Sequence, residues 1–388
     1  MSKTPAAQTD PRPVSTSSQL ADGWGRPLRA VICNRCDWGF LVGIEATEAR
    51  CPHCFQPALA PLPDAEDALP YVRPPELLIP FSLAQEALAR RVEAFAQDIP
   101  FAPRDLNAAT LRSRLQPVYL PMWLVDATAE ARWEAEVGFD YQVVSHQERY
   151  ADHQGGWRTR EVEETRVHWE PRVGELRRTY ANVAAPALEE DAALRRRLGD
   201  WDWTKAQAYD GLGQRPARAE SEAWFRLPNR TPADAWPAAE PTVRQRAAEE
   251  CKRAAGADHV RQFRWTPTYA ERNWTLLLAP VYTTYYVDDA GQPQAVLIHG
   301  QTGQIDGARR ASMQRAQRTS LILALVALGI FVVSLVIAAA GLVAPPVAVL
   351  GGVGILIALV LGLSALVPIL RVWQFNRQQR GTGQDSQD

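Results

Sequence analysis

Four of the five cysteines stand as Cys33-Asn34-Arg35-Cys36 and Cys51-Pro52-His53-Cys54, two Cys-x-x-Cys pairs with 14 residues between them. Two residues between cysteines let each short turn aim both thiolates at one point. Two such knuckles then complete a tetrahedron around a metal ion at about 2.3 Å per sulfur. The spacing predicts one structural Zn2+ per chain, held by Cys33, Cys36, Cys51 and Cys54. Two alternatives use the same residues: paired disulfides, disfavoured in a reducing cytosol, and a redox Cys-x-x-Cys, which needs no second copy. With thiolates at all four positions there is no open place for water or substrate, so Lewis-acid catalysis is disfavoured. His53, inside the second knuckle, reads as a neighbour of the site, with exchange for a cysteine as the alternative. Cys251 falls on the helical stripe Val243, Ala247, Cys251, Ala255 and reads as a small buried residue, with a reactive thiol as the alternative.

Other chemistry is thinly represented. The chain contains no Gly-x-x-x-x-Gly-Lys phosphate loop and only three lysines, Lys3, Lys205 and Lys252, which excludes a P-loop motor. Neither a Gly-x-Ser-x-Gly elbow nor a His-Glu-x-x-His motif occurs. His146, His153 and His168 match no compact ligand spacing and read as scattered surface residues. A net charge of -2 over 388 residues excludes a broad basic surface, and only Arg26, Arg29, Arg35 and Arg50 surround the cysteines, which disfavours nucleic acid as a partner.

The elements that position the cysteines begin with a strand at 40–44 between the knuckles. This outlines a zinc ribbon over 28–60, after an expected disordered tail at 1–27, rich in Ser, Thr, Pro, Ala and Gln and without a signal-peptide core. An α+β domain is expected over 70–310. Its predicted helices cover 82–96, with a capping box at Ser82 and Gln85 and a stripe of Leu83, Leu88, Val92 and Phe95, then 187–198, and 242–255 capped by Thr242 and Gln245. Its predicted strands cover 119–125, 129–144, 157–169 and 178–183, with a turn at 154–156, and a hairpin pairs 274–287 with 294–299. Leu120-Pro121-Met122-Trp123 and Ala279-Pro280-Val281-Tyr282 look alike. They read as two proline-marked strand starts, or as traces of two related β units. The many tryptophans read as core, with a base-stacking platform as the alternative.

Mean hydropathy is only -0.24, yet residues 319–370 contain no Asp, Glu, Lys, Arg or His. Pro345-Pro346 splits this run into two 24-residue spans, 320–343 and 347–370, each long enough to cross a bilayer. The reading is a transmembrane hairpin over 320–370 followed by a tail at 371–388. Arg309, Arg310, Arg315 and Arg318 precede it, Arg371, Arg377 and Arg380 follow it, and the connection has none, which places both ends in the cytoplasm. No ionisable residue lies inside the hairpin, so it reads as an anchor and not as a pore.

The order of the two Cys-x-x-Cys pairs, Leu78-Ile79-Pro80-Phe81, Tyr119-Leu120-Pro121-Met122-Trp123 and His299-Gly300-Gln301-Thr302-Gly303 before a terminal hairpin resembles a bacterial family of zinc-ribbon membrane proteins. These are often labelled primosomal helicase-like, although this chain lacks the motor motif and shares only the ribbon. Some relatives are similar to membrane partners of phage-shock (ESCRT-III-like) and SPFH-type proteins, which implies a scaffold role at the cytoplasmic membrane. Taken together, the sequence points to a multi-pass, membrane-anchored adaptor and not an enzyme. A membrane-tethered nucleic-acid binder and an unrecognised enzyme in the middle domain are the other readings.

Overall fold

The structure is a computed structural model that describes residues 23–46, 50–62, 74–151, 157–210, 221–340 and 345–384. The tail up to residue 22, His153 with the 154–156 turn, and the 341–344 connection lie outside them. In chain order the elements are β1 (Leu28–Cys33), β2 (Gly39–Gly43), β3 (Leu59–Pro61), β4 (Leu77–Leu78), α1 (Gln85–Ala96), α2 (Ala108–Ser113), β5 (Gln116–Ala151) and β6 (Trp157–Pro186). There follow α3 (Asp191–Leu198), β7 (Gln207–Ala208), β8 (Trp224–Arg226), α4 (Pro232–Ala254), β9 (His259–Val287), β10 (Pro293–His299) and β11 (Ile305–Gly307). The chain closes with α5 (Met313–Ala340), α6 (Pro345–Ser364) and α7 (Val367–Gln384).

Packing groups the chain into two units. The first holds residues up to Pro121 with Glu190–Leu227 and everything from Leu278, and the second holds Met122–Glu189 with Pro228–Leu277. β5 and β9 each contribute to both, and the change falls at Pro121/Met122 and at Leu277/Leu278, beside the two similar proline segments. Those prolines therefore lie inside strands and do not start them.

In the first unit the sheet runs β11-β10-β9-β5-β8-β2-β1-β3. The ribbon strands are continuous with it, because β2 pairs with β8 through Phe40↔Arg226 and Leu41↔Phe225. Leu28, Leu41, Tyr119, Phe225, Leu227 and Leu278 make one core, with the Tyr119 and Phe225 rings stacked 5.7 Å apart. α1 lays Leu88 and Val92, flanked by Leu83 and Phe95, against Tyr282, Tyr286, Val296 and Ile298, as its stripe predicts. Its start differs from the expected capping box. The Leu83 amide donates to the Gly300 carbonyl (3.2 Å), so the chain stays extended there and the helix begins at Gln85 with no side-chain cap.

The His299-to-Gly303 motif is a turn held from inside. His299 is fully buried, its Nδ1 accepts the amides of Gln301 (3.1 Å) and Thr302 (3.3 Å), and Trp201 stacks on its ring. Gly303 has φ +70°, and a Cβ on Gly300 would lie 2.7 Å from the Pro280 side chain. Both glycines are therefore required by the turn.

Asp105 fixes the loop between α1 and α2 to β9: it forms a bidentate ion pair with Arg114 (2.5 and 3.0 Å) and accepts the Val287 amide (2.6 Å). Burial pushes its carboxyl up, but Arg114 and that amide outweigh burial and hold it below the usual carboxylate range. A carboxyl depressed in the folded state stabilises the fold above its unfolded pKa and loses that contribution as pH falls through the folded value. Asp105→Asn should therefore lower the thermal midpoint at pH 7, and the gap to the parent should narrow as the buffer is taken below about pH 4.

In the second unit, β5 and β6 form one long hairpin from Met122↔Pro186 to Ala151↔Trp157. The expected short strands merge because the apparent breaks fit the ladder. Pro171 sits on β6, whose described partner is β5 alone, and an edge strand tolerates a missing amide. Gly174 lies under the Trp133 indole, 2.9 Å from where a Cβ would stand. A register shift frees Asp126 to accept the Asn182 amide (2.7 Å). α4 packs on this hairpin, with Glu250 accepting from Tyr180 (3.2 Å) and Arg246 donating to the Ala181 carbonyl (2.9 Å). The helix starts at Pro232, ten residues before the expected cap. Thr231 and Asp234 make a reciprocal capping box, and Ala235 and Ala239 are buried, which offsets Pro237 and Pro241 inside the helix. Cys251 is buried on the same stripe as Val243 and Ala247.

α5 and the run Val349–Gln379 are long and apolar enough to cross a membrane. α6 breaks at 365–366, where Pro368 takes the second position of α7 and its missing amide does no harm. The two spans meet along small residues: Ala316, Ser320, Ala327 and Ser334 on α5, with Gly351, Ala358 and Ala365 opposite. Leu, Ile and Val cover the outward surface, the pattern of a helix pair bathed in hydrocarbon.

Candidate metal centre

The knuckles are built alike. In the first, the Asp37 amide donates to the Cys33 carbonyl (2.9 Å), the Cys33 amide donates to the Trp38 carbonyl (3.0 Å), and Asp37 has φ +56°. In the second, the Phe55 amide donates to Cys51 (2.8 Å), the Cys51 amide donates to Gln56 (3.1 Å), and Phe55 has φ +58°. Each loop thus turns back through one left-handed residue directly after its second cysteine, and both sulfurs of the pair point the same way.

The four sulfurs lie within 4.8 Å of one another and could hold a metal ion. Cys33 Sγ is 3.5 Å from Cys54 Sγ and Cys36 Sγ is 3.6 Å from Cys51 Sγ. Sulfurs about 2.3 Å from a tetrahedral centre would stand roughly 3.8 Å apart, whereas a disulfide would bring a pair to about 2.0 Å. None of the five cysteines forms a disulfide. Burial pushes the Cys51 thiol up to about 12 and the Cys36 thiol up as well. At Cys33 burial also raises the thiol, but the Arg35 and Cys36 amides, with the Cys36 and Cys54 thiols, outweigh it and bring the value down. Cys36 and Cys51 thus resist ionising on their own, and a bound cation would favour their thiolates.

Sequence reasoning finds the four cysteines and misses what surrounds them. The Trp38 indole carries two neighbours: the His53 ring stacks on it at 3.7 Å with 9° between planes, and the Arg226 guanidinium lies 4.5 Å from its centroid. Its Nε1 donates to Glu190 Oε1 (3.2 Å). Arg226 Nη1 donates to the carbonyls of Gly39 (3.1 Å) and Leu227 (2.7 Å). Phe55, in the second knuckle, stacks on Tyr285 of β9 at 4.8 Å, and Arg114 covers the same tyrosine. Arg226 and Glu190 lie more than 130 residues beyond Cys54, so no spacing rule could connect them to the knuckles.

Of the histidines that read as scattered, His146 lies beside Glu148 and His168 beside Glu170. A second site candidate is an open cleft of about 650 Å³ on the β5–β6 hairpin, lined by Trp133, Gly174 and Trp265 with Arg132, Glu134, Glu175 and Arg264. Its charges already satisfy one another, Arg132 with Glu175 (3.1 Å) and Arg264 with Glu134 (3.4 Å). Comparison with protein-family models, with curated proteins and with solved structures found no match.

Proposed function

We propose that the chain is a membrane-anchored zinc-ribbon adaptor or scaffold. In this reading the hairpin spans the cytoplasmic membrane twice, both termini and the folded units face the cytoplasm, and one structural Zn2+ occupies the four cysteines. Four sulfur donors in a tetrahedron favour zinc among the common divalent ions.

The observation that carries the reading is how the hairpin joins the unit that holds the cage. Ser312 Oγ donates to Asp289 (2.7 Å), and the Gln314 amide donates to the same carboxylate (3.0 Å), which places a negative charge at the start of α5. The Ser312 amide donates to the Phe101 carbonyl (2.9 Å). From α7, Asn376 accepts the Ala311 amide (2.8 Å) and donates to the Ala311 carbonyl (3.0 Å), while Val372 packs with Ala311 and Ala316. Both spans are thus bonded at their base, which supports a device that presents a folded surface at fixed height and orientation above a bilayer. The resemblance to membrane partners of phage-shock and SPFH-type proteins suggests the class of protein to be presented to. Tethering raises the effective concentration of such a partner, so a modest contact suffices.

Reporters at the N-terminus and after Gln384 should score cytoplasmic, and one inserted within 341–344 should score external. Cross-linking in membranes, then solubilisation and capture of the full chain, should recover a partner protein, and the Cys54→Ser variant should lose it if the ribbon is the docking element. Opposite scores at the two ends would reduce the hairpin to one span. Saturable turnover of a small molecule by residues 28–310, with no protein bound, would replace the adaptor reading with an enzyme.

A further inference from the structure

Among the described residues, Arg226 is the only Lys, Arg, Asp or Glu that is buried, with 4% of its surface exposed. A charge taken out of water is strongly unfavourable unless an opposite charge faces it, and hydrogen bonds to carbonyls alone do not supply one. Arg226 donates through Nη1 to two carbonyls, and its Nε has no hydrogen-bond partner. The groups that act on it electrostatically are Glu190, Cys36 and Cys51. Backbone pairing with Phe40 and the stack on Trp38 hold it beside the first knuckle, since Trp38 is two residues past Cys36. Four thiolates around one divalent ion leave two net negative charges, which neither the hydrogen bonds inside the knuckles nor His53 removes.

We propose that Arg226 is the built-in counter-cation of the four-cysteine cage: a positioning residue whose charge, held against Trp38, offsets the cage's surplus negative charge and slows loss of the metal. Glu190 bonds the same indole and works in the opposite sense, as an anion that takes up part of the arginine's field. The inference rests on the cage holding a divalent ion. It goes beyond that reading by assigning metal retention to a residue of β8, far from the knuckles in sequence. It also explains why an arginine occupies a position where the neighbouring Phe225 and Leu227 are core.

The test uses the full chain in detergent, loaded with Co2+, whose sulfur-to-cobalt charge-transfer and d–d bands report the cage, and chased with excess EDTA. Arg226→Met should release the ion about 10–100-fold faster than the parent, the size of the affinity loss on removing an outer partner of a metal ligand, here expected in the dissociation rate. Its d–d bands should keep their tetrahedral pattern while the charge-transfer band moves to lower energy. Arg226→Lys, which keeps the charge, should stay near the parent, and Glu190→Gln, which keeps the acceptor for Trp38, should slow release. Opposite signs at the two positions are the signature of charge, because a packing role would make both variants lose metal faster. The proposal is wrong if Arg226→Met matches the parent, if Lys and Met behave alike, or if Glu190→Gln accelerates release. Should Arg226→Met fail to fold, the Lys and Gln variants decide. A parent protein that takes up neither Co2+ nor Zn2+ defeats the cage reading itself.

Discussion

Replacing Cys33 or Cys54 with serine is expected to strip the metal from the protein and to loosen far more than residues 28–60. A structural four-thiolate site has an apparent binding energy of about 10–16 kcal/mol, comparable with the whole stability of an ordinary domain at about 5–15 kcal/mol. Without the ion, β1 and β2 lose the knuckles that close them. The loss then passes through the β2–β8 pairing to Phe225, Tyr119 and the rest of that core. Elemental analysis should fall from about one zinc per chain to near zero, and limited proteolysis should cut between β1 and β3 and around β8. The hairpin, which packs along its own seam, should still partition with membranes. Cys251→Ser is the control: it changes a buried residue of α4 and should leave the metal content unchanged. A Cys33→Ser protein with one ion per chain and the parent's digestion pattern would defeat the assignment.

Gly351→Leu should disrupt the helix pair, whereas Gly352→Leu, one residue away, should do little. A Cβ on Gly351 would stand 2.5 Å from the Ala338 amide nitrogen and 2.6 Å from its Cα, so only backbone movement could relieve it. At Gly352 nothing lies within 4 Å. Overpacking a filled core costs about 1–3 kcal/mol or more. A membrane helix pair has little besides packing to offset that, since lipid tails welcome a leucine as readily as the facing helix does. At Gly354 a Cβ would stand 2.1 Å from Ser334 Oγ, a clash with a side chain and not with backbone. The thermal midpoint of the detergent-solubilised protein and the protease resistance of 313–379 should both fall for Gly351→Leu and hold for Gly352→Leu. Equal behaviour of the two variants would remove the small-residue seam from the account.

Much of the site was legible early because the requirement is local. Two residues between cysteines suffice to build a knuckle. The apolar stripe of α1 and the hairpin from β9 to β10 could be read for the same reason, since side-chain periodicity acts over a few residues. The errors fall where a local signal was outvoted. Ser82 and Gln85 spell a capping box, but the Leu83 amide belongs to Gly300. Thr242 and Gln245 spell a helix start, but a capping box at Thr231 and the burial of Ala235 and Ala239 begin the helix earlier and carry it through Pro237 and Pro241. Pro171 and Gly174 look like strand breaks, but an edge position and the Trp133 ring absorb both.

By itself the sequence determined the four thiol donors, the two apolar spans and the mixed helix and strand content, because ligand geometry, hydrocarbon solubility and backbone period are properties of short stretches. Tertiary structure alone decided that the ribbon continues into the sheet of the first unit, that β5 and β9 serve both units, and that Asp289, Phe101 and Asn376 hold the base of the hairpin. It alone set Arg226 and Glu190 around Trp38. Those groups meet through pairing and burial across 36 to 188 residues of chain between partners. A contact of that kind is settled by where the whole chain finds room for its apolar surface and partners for its polar groups, which no spacing within a motif encodes.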